Sequence, residues 1–353
     1  MVFIIILSLF TYAYKEFFMN GSSFGEKIVL TTYGASHDEK TGLTLSGLPK
    51  GLKINLDKLN AFIERRKPVD NFGGTLRHEE DIPIINSGIV DGITDGTPII
   101  IDFLNQNVHS NDYDKLKNVY RPGHADVTYD LKYGEIPVGG GRASGRETLT
   151  RVCAGGIIAQ VLEDKFGITS ESIITSLGGL RVFDNELTES HLKLIMQMKE
   201  DKDSIGGTIR LILHGVPAGL GEPVFKKLDA ALSYAIMSIG AVKGVSFGAG
   251  FNAAKIRGSA MNDEFVGLTD GKLKTARNMA GGILGGISTG ENIIMDVAIK
   301  PTPSIGRIQH TIDRDGNPCE LEITGRHDVT IVPRIGVVIE SMALLTIANF
   351  IDF

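Results

Sequence analysis

The sequence predicts an α+β fold. Segments with strand periodicity and segments with helical periodicity are interleaved along the 353 residues, without the regular strand–helix–strand period of a parallel α/β sheet. The chain has no tandem repeat, and no linker rich in proline, serine or charge divides it. Its length is sufficient to bury a large core, as one large domain or as two.

Three segments in the first half of the chain have clear periodicity. Residues 27–32 are predicted to form a strand. Apolar residues recur at helical spacing over 56–63, and this helix must end before Pro68 because the residue that precedes a proline disfavours the α conformation. A second helix is predicted over 149–161, where apolar residues again recur at helical spacing.

The second half of the chain adds a helix and three predicted strands. Ile209, Leu211 and Leu213 lie at every second position of the segment 209–213, which is typical of a half-buried strand. Pro223 is predicted to open a helix whose apolar face runs over 228–239, since proline suits the first turn of a helix. The apolar runs 292–299 and 329–339 are predicted to be strands.

The composition argues against several classes of protein. The formal net charge is −6, whereas a nucleic-acid-binding domain usually carries a basic face. The two cysteines, Cys153 and Cys319, lack metal-ligand spacing and are predicted to be reduced thiols, which indicates a cytoplasmic protein. The 43 glycines lie between apolar runs, so they indicate tight turns and close ligand approach rather than disorder.

The N-terminal segment is apolar but has no clear targeting pattern. Its apolar run is too short for a membrane span of about 20 residues, and it lacks the basic region and cleavage motif of a signal peptide. We therefore expect residues 1–18 to be an extension outside the fold, residues 19–353 to form one domain, and no stable membrane association. A tail that touches a membrane is the alternative.

Residues 139–148 carry the strongest signal of a binding site. Three glycines lead through two arginines into a helical pattern. The N–H groups of a glycine-rich turn and the positive end of a helix bind anions, and arginine adds a fork that suits phosphate or carboxylate. The alternative is a helix entrance with two solvated arginines. Segments 31–38, 121–126 and 325–328 also place His or Asp beside Gly, Ser or Arg, which favours a shared pocket for a small anionic molecule.

These segments resemble the signatures of the chorismate synthase family. The family's Gly-Glu-Ser-His-Gly signature corresponds to residues 34–38, its Gly-Gly-Gly-Arg signature to 139–148, and its Arg-His-Asp signature to 326–328. Four further segments are similar, at 121–126, 216–223, 280–288 and 300–302. Seven collinear matches from about residue 24 onward form a specific signal.

The resemblance implies a chorismate synthase-like fold, with helices packed between two antiparallel sheets, and assembly as a homotetramer. It implies a lyase that removes phosphate from C3 and hydrogen from C6 of 5-enolpyruvylshikimate 3-phosphate in a 1,4-anti elimination, giving chorismate. It also implies reduced FMN as the cofactor. Two sources of reduction stay open, NADPH acting on this protein or a separate reductase, and no Gly-x-Gly-x-x-Gly follows a predicted strand.

The resemblance further implies three catalytic residues. His37 protonates or hydrogen-bonds the leaving phosphate, His124 acts on the reduced flavin, and Asp328 helps the flavin to accept the C6 hydrogen as a proton. Histidine suits such proton transfer near neutral pH. Each residue also has a structural alternative, a pair within its own loop: His37 with Asp38, His124 with Asp126, and Asp328 with Arg326 or His327.

The implied binding residues form two sets. The substrate anions are assigned to Arg66, Arg121, Arg146 and Arg326. FMN is assigned to Arg142, Ala143, Ser144, Gly240, Ala241, Gly285, Lys300, Pro301, Thr302, Pro303, Ser304 and Arg326. For Arg66 the alternative is a charged helix C-terminus. Positions that depart from the family pattern, Ala35, Asp38, Phe72, Gly240, Met279 and Pro303, keep open a flavin- or anion-binding paralogue with weak or lost activity.

Overall fold

The structure is a computed structural model. It describes five stretches of the chain: residues 21–68, 80–105, 118–269, 272–323 and 328–353. The predicted N-terminal extension (1–18) and Arg326, to which two binding roles were assigned, lie outside the described residues.

An antiparallel sheet of five strands is built from the first third of the chain. The strands of this part are β1 (Ser23–Phe24), β2 (Val29–Tyr33), β3 (Lys40–Ser46), β4 (Ile84–Ser87), β5 (Ile89–Val90), β6 (Ile93–Thr94) and β7 (Ile99–Leu104). The sheet order is β1-β2-β3-β7-β4, and β5 pairs with β6. Buried Leu43 of β3 lies opposite Ile101 of β7. The strand predicted over 27–32 is confirmed as β2.

A second antiparallel sheet of five strands has the order β11-β16-β10-β8-β9. The strands of this part of the chain are β8 (Thr169–Leu177), β9 (Leu180–Arg181), β10 (Gly207–His214), β11 (Val242–Phe247), β12 (Phe265–Thr269), β13 (Lys272–Thr275), β14 (Ile283–Leu284), β15 (Ile287–Ser288), β16 (Ile293–Ile299), β17 (Ile308–Ile312) and β18 (Pro318–Glu322). Three two-stranded pairs, β12–β13, β14–β15 and β17–β18, stand apart from it. The strands predicted over 209–213 and 292–299 are confirmed as β10 and β16.

A layer of helices separates the two sheets. The helices are α1 (Leu56–Glu64), α2 (Asp126–Tyr133), α3 (Thr148–Phe166), α4 (Glu189–Glu200), α5 (Leu228–Met237), α6 (Gly258–Met261) and α7 (Val332–Ala348). Helix α3 packs on β2 and β3 of the first sheet, α7 packs on β8 and β10 of the second, and the two helices pack on each other. Gly155 permits this approach, because a Cβ there would lie 2.2 Å from the Cβ of Ser341. The predicted sandwich of helices between two antiparallel sheets is confirmed.

Local sequence accounts for the ends of the predicted helices. The helix predicted over 56–63 is α1, and Asn55 caps it by accepting a hydrogen bond from the Lys58 N–H at 2.9 Å. The helix predicted over 149–161 is α3, which ends at Gly167 in the left-handed conformation (φ 66°). The helix expected to open at Pro223 begins at Leu228.

The prediction of a strand over 329–339 is wrong, because most of this segment belongs to α7. The 17-residue helix is buried on nearly every side, so its sequence lacks the polar face of an amphipathic helix. A fully apolar run cannot be divided between helix and strand by periodicity alone. Pro333 lies in the first turn, where a missing N–H costs nothing. Across the described ranges, no helix is long and apolar enough to cross a membrane.

Candidate active site

His37 lies in the tight loop that joins β2 to β3. The Asp38 carboxylate accepts a hydrogen bond from the Ala35 N–H at 2.6 Å. The side-chain amide of Asn105 donates to the carbonyl oxygens of Asp38 at 2.7 Å and of Ala35 at 3.2 Å. Asp38 therefore bonds to the backbone of this loop, and Asn105 ties the two ends of the loop together.

The glycine-rich turn packs directly against His37. Its three glycines, residues 139–141, have φ values of 61°, 86° and 51°, a region that side chains disfavour. A Cβ at Gly139 would lie 1.9 Å from Cε1 of the His37 ring. The ring Nδ1 lies 2.8 Å from the hydroxyl of Ser36, which is buried. Glycine at position 139 is thus what allows the imidazole to occupy this place.

The two arginines of the turn bond to the His37 loop. The Arg142 guanidinium donates to Gly34 O at 2.9 Å, to Thr32 O at 3.1 Å and to Thr32 Oγ1 at 2.7 Å. The Arg146 guanidinium donates to Ser36 O at 2.9 Å. Both side chains are partly buried, so the description as solvated arginines at a helix entrance does not fit. Arg142 and Arg146 connect the glycine-rich turn to the loop that carries His37.

The 121–126 segment brings Arg121 and His124 to the same region. The Nε and Nη2 groups of Arg121 each donate to Asp126 at 2.7 Å, and both side chains are buried. His124 Nε2 lies 2.9 Å from the Ser304 hydroxyl. A Cβ at Gly140 would lie 4.0 Å from Arg121 Nη2. Arg121 therefore borders the glycine-rich turn, while His124 contacts the 300–304 segment.

The 300–304 segment links several of the predicted residues. The Lys300 ammonium donates to Gly123 O at 2.8 Å, and the Lys300 N–H donates to Ala241 O at 2.9 Å. The Thr302 hydroxyl donates to the backbone carbonyl of Asp328 at 2.9 Å. Burial lowers the pKa of Lys300, and the charge of Lys243 lowers it further. The segment thus joins the 121–126 loop to Ala241 on one side and to Asp328 on the other.

Asp328 and Arg66 each belong to an ion pair. The Asp328 carboxylate lies 2.6 Å from Nη2 of Arg334, and Arg66 Nη2 lies 2.6 Å from the Asp81 carboxylate. Arg66 follows the end of α1 by two residues and is largely buried, unlike a solvated helix terminus. Within the described part of the chain, no group accepts a hydrogen bond from its buried Nε–H. Such a donor suits an anionic ligand, because an unpaired buried polar group is costly.

Arg334 was not among the residues predicted from the sequence. It lies in the first turn of α7, a segment that the apolar pattern predicted to be a strand. The signal that could have found it is a charged residue inside an otherwise apolar run, since a buried charge is usually paired. Because this segment was predicted to be a strand, an ion pair between Arg334 and Asp328 was not expected.

Gly285 and Gly240, two of the predicted flavin residues, lie near opposite ends of α5. The N–H of Leu228, at the start of α5, donates to Gly286 O at 2.8 Å, whereas Gly240 follows the opposite end of that helix. Ten helical residues span about 15 Å, so α5 separates the two glycines. At either glycine a Cβ would meet nothing within 4 Å.

Replacing Gly139 with alanine is expected to lower kcat by about 10- to 10²-fold, the scale of a misplaced catalytic group. The added methyl group would occupy the position of the His37 ring and force it to move. Gly134→Ala is the matched control, because Gly134 also has a positive φ (77°) but no atom within 4 Å of an added Cβ. Steady-state rates of both variants, with circular dichroism as a check of folding, measure the difference. An equal loss of rate in both variants would show that backbone strain, not displacement of His37, is responsible. An unchanged rate in both would contradict the prediction.

Comparison with known proteins identifies the family. Residues 28–351 match the family model described as chorismate synthase. The chain belongs to the chorismate synthase family. The resemblance drawn from its motifs is confirmed over nearly the whole sequence.

Individual chorismate synthases are similar to this chain along their full lengths. The protein of that name from Nitratidesulfovibrio vulgaris (strain DP4) is 45% identical over 349 residues, which cover 94% of this chain and 97% of the relative. The one from Methanosarcina barkeri is 45% identical over 352 residues, covering 94% and 96%. A solved structure titled "Crystal Structure of Chorismate Synthase" superposes with a TM-score of 0.73 at 26% identity, covering 93% of this chain and 92% of that one.

Proposed function

We propose that this chain is a chorismate synthase, a carbon–oxygen lyase that converts 5-enolpyruvylshikimate 3-phosphate to chorismate and phosphate. One observation carries the proposal: contacts between neighbouring segments link the three loops that carry the predicted catalytic residues. His37 packs on Gly139, the glycine-rich turn borders Arg121, and the loop of Arg121 carries His124. His124 contacts Ser304, and Thr302 bonds to Asp328.

The arginines fit the charge of this substrate, which carries two carboxylates and a phosphate. Arg66, Arg121 and Arg146 are the described candidates, and planar guanidinium forks bind such groups through paired hydrogen bonds. The buried Arg66 Nε–H offers a donor already freed of water. Arg326 completes the proposed set by its place in the Arg-His-Asp signature.

The reaction breaks the C3–O bond to phosphate and the C6–H bond, and a new double bond forms in the ring. His37 is proposed to donate a proton or a hydrogen bond to the departing phosphate, and the bond from Arg146 to Ser36 O, next to His37, supports this assignment. Asp328, whose backbone bonds to Thr302, is proposed to assist removal of the C6 hydrogen as a proton. Arg146, which bonds to the loop of His37, would offset the negative charge that develops on the departing phosphate.

The donors of this region fit reduced FMN. Ser304 contacts His124, Lys300 bonds to the carbonyl of the neighbouring Gly123, and open space lies beside Gly240. The remaining proposed flavin contacts are Arg142, Ala143, Ser144, Ala241, Gly285, Pro301, Thr302, Pro303 and Arg326. When bound, the reduced flavin supplies an electron-rich ring system beside the substrate. NADPH is proposed as one source of its reduction.

The assembly and location are also proposals. We expect a homotetramer in the cytoplasm, acting on a small anionic substrate, because the family resemblance implies that organisation. The second candidate function is a flavin-binding relative without turnover. Pro303 favours this second candidate. Compared with the family pattern, a proline at this position lacks a hydroxyl and a backbone N–H donor, and it packs against Gly123.

An anaerobic assay with reduced FMN and 5-enolpyruvylshikimate 3-phosphate tests the proposal. We expect equimolar chorismate and phosphate, no reaction with oxidised FMN, and tighter binding of reduced than of oxidised flavin. A histidine- and arginine-rich site should favour the anionic reduced ring. Flavin binding without product would support the second candidate, and absence of both would contradict each of them.

A further inference from the structure

The ion pair between Arg334 and Asp328 is short, and it joins a buried carboxylate to a partly buried guanidinium. Arg334 Nη2 lies 2.6 Å from Asp328 Oδ2, and the two side chains are 29% and 8% exposed. Arg334 lies in the first turn of α7, and Asp328 precedes that helix by four residues. A charge-assisted bond of this kind holds both partners in one geometry more firmly than a bond between neutral groups.

The backbone around Asp328 is fixed independently of this pair. The Thr302 hydroxyl donates to Asp328 O at 2.9 Å, and the Ile205 N–H donates to Val329 O at 2.9 Å. The Thr330 hydroxyl accepts a hydrogen bond at 3.3 Å from the N–H of Val332, the first residue of α7. With the main chain held in this way, Arg334 acts on the Asp328 side chain, whose carboxylate it contacts.

The surroundings of Arg334 disfavour its positive charge. Burial lowers the pKa of the Arg334 guanidinium, Asp328 partly offsets this shift, and the like charge of Arg66 adds to it. Arg66 and Arg334 are therefore close enough to interact, and each is balanced by its own carboxylate, Asp81 or Asp328. Arginine stays charged despite such a shift, so Asp328 faces a permanent cation.

We propose that Arg334 is a positioning residue for the reaction: it holds the Asp328 carboxylate in the orientation in which it acts. This proposal rests on the function proposed above, and it assigns no contact between Arg334 and the substrate. It explains a partly buried arginine at the start of an otherwise apolar helix. A purely structural ion pair would stabilise the fold and leave turnover unchanged.

A double-mutant cycle tests the proposal. We expect Arg334→Gln to lower kcat about 10- to 10²-fold while KM and the Kd of FMN change less than about threefold, because only orientation is lost. Arg334→Lys should recover part of the rate, since it keeps the charge without the fork. In an Asp328→Ala background, Arg334→Gln should cause no further loss. Additive losses, or an unchanged kcat, would overturn the proposal.

A matched control and a structural readout separate this proposal from the proposed function. Arg210→Gln removes an ion pair on the second sheet, in which Arg210 bonds to Asp296 through two contacts of 2.8 Å, and it should leave kcat unchanged. Crystal structures of the wild type and Arg334→Gln should differ in the orientation of the Asp328 carboxylate. An unchanged orientation contradicts the positioning role, whether or not the wild type forms chorismate.

Discussion

Replacing His37 with alanine is expected to lower kcat by about 10²- to 10⁴-fold, the usual contribution of a positioned acid–base group. The ring is held on three sides, by the Ser36 hydroxyl at 2.8 Å, by Gly139, and by a loop that Arg146 anchors. If His37 is the proton donor, these contacts reduce the reorganisation that proton transfer requires. Anaerobic single-turnover measurement of phosphate release reports the chemical step directly.

The control for this variant is a histidine far from the loop. His310 in β17 is 86% exposed, so His310→Ala should leave the rate unchanged. Ser36→Ala should cause a smaller loss than His37→Ala, because it removes one hydrogen bond to the ring and keeps the ring itself. A rate for His37→Ala within about threefold of the wild type would remove His37 from the mechanism.

The fold was predictable where the sequence had two distinct faces. Helix α1 buries Leu59 and Ile63 on one face, strand β10 alternates buried and half-buried residues, and both were predicted with nearly correct bounds. Helix α7 was not, because nearly all of its residues are buried and its pattern carries no period. Burial on every side is a tertiary property: it arises from α3 and the second sheet, which no local window of sequence contains.

The loops of the site were predictable, but the partners of their side chains were not. Arg142 bonds to Thr32, more than a hundred residues away in sequence. Arg65 and Arg66 are adjacent and chemically equal, yet they point to different partners. Arg65 bonds to the fully buried Glu340 of α7 at 2.5 and 3.0 Å, whereas Arg66 bonds to Asp81. Only the packing of α1 on its neighbours distinguishes the structural Arg65 from Arg66, the candidate for binding substrate.

The same packing explains how one helix serves both stability and the site. Helix α7 carries Arg334 in its first turn and Glu340 two turns later. Glu340 accepts hydrogen bonds from Arg65 and from the hydroxyls of Ser170 and Ser172 at 3.0 and 2.5 Å, so its buried charge is fully compensated. The Glu340 network fixes α7 against β8, and that in turn fixes where Arg334 meets Asp328.

Replacing His124 with alanine is expected to lower kcat by about 10²- to 10⁴-fold and to weaken binding of reduced FMN, because the imidazole contacts the 300–304 segment proposed to hold the flavin. Ser304→Ala separates the two effects of this contact. This variant removes the 2.9 Å bond and keeps the ring. It should weaken the binding free energy of reduced FMN by only about 0.5–1.5 kcal/mol, the net contribution of one neutral hydrogen bond.

Anaerobic titration of reduced FMN against the wild type, His124→Ala and Ser304→Ala, together with kcat at saturating flavin, distinguishes the possible roles. If His124 acts on the flavin, its variant loses rate even when the cofactor is saturating, and Ser304→Ala is nearly normal under the same condition. If His124 only anchors the 300–304 segment, both variants weaken flavin binding to a similar extent and both recover full kcat at saturation. The second result would contradict a catalytic role for His124, because a group that transfers a proton cannot be replaced by added cofactor.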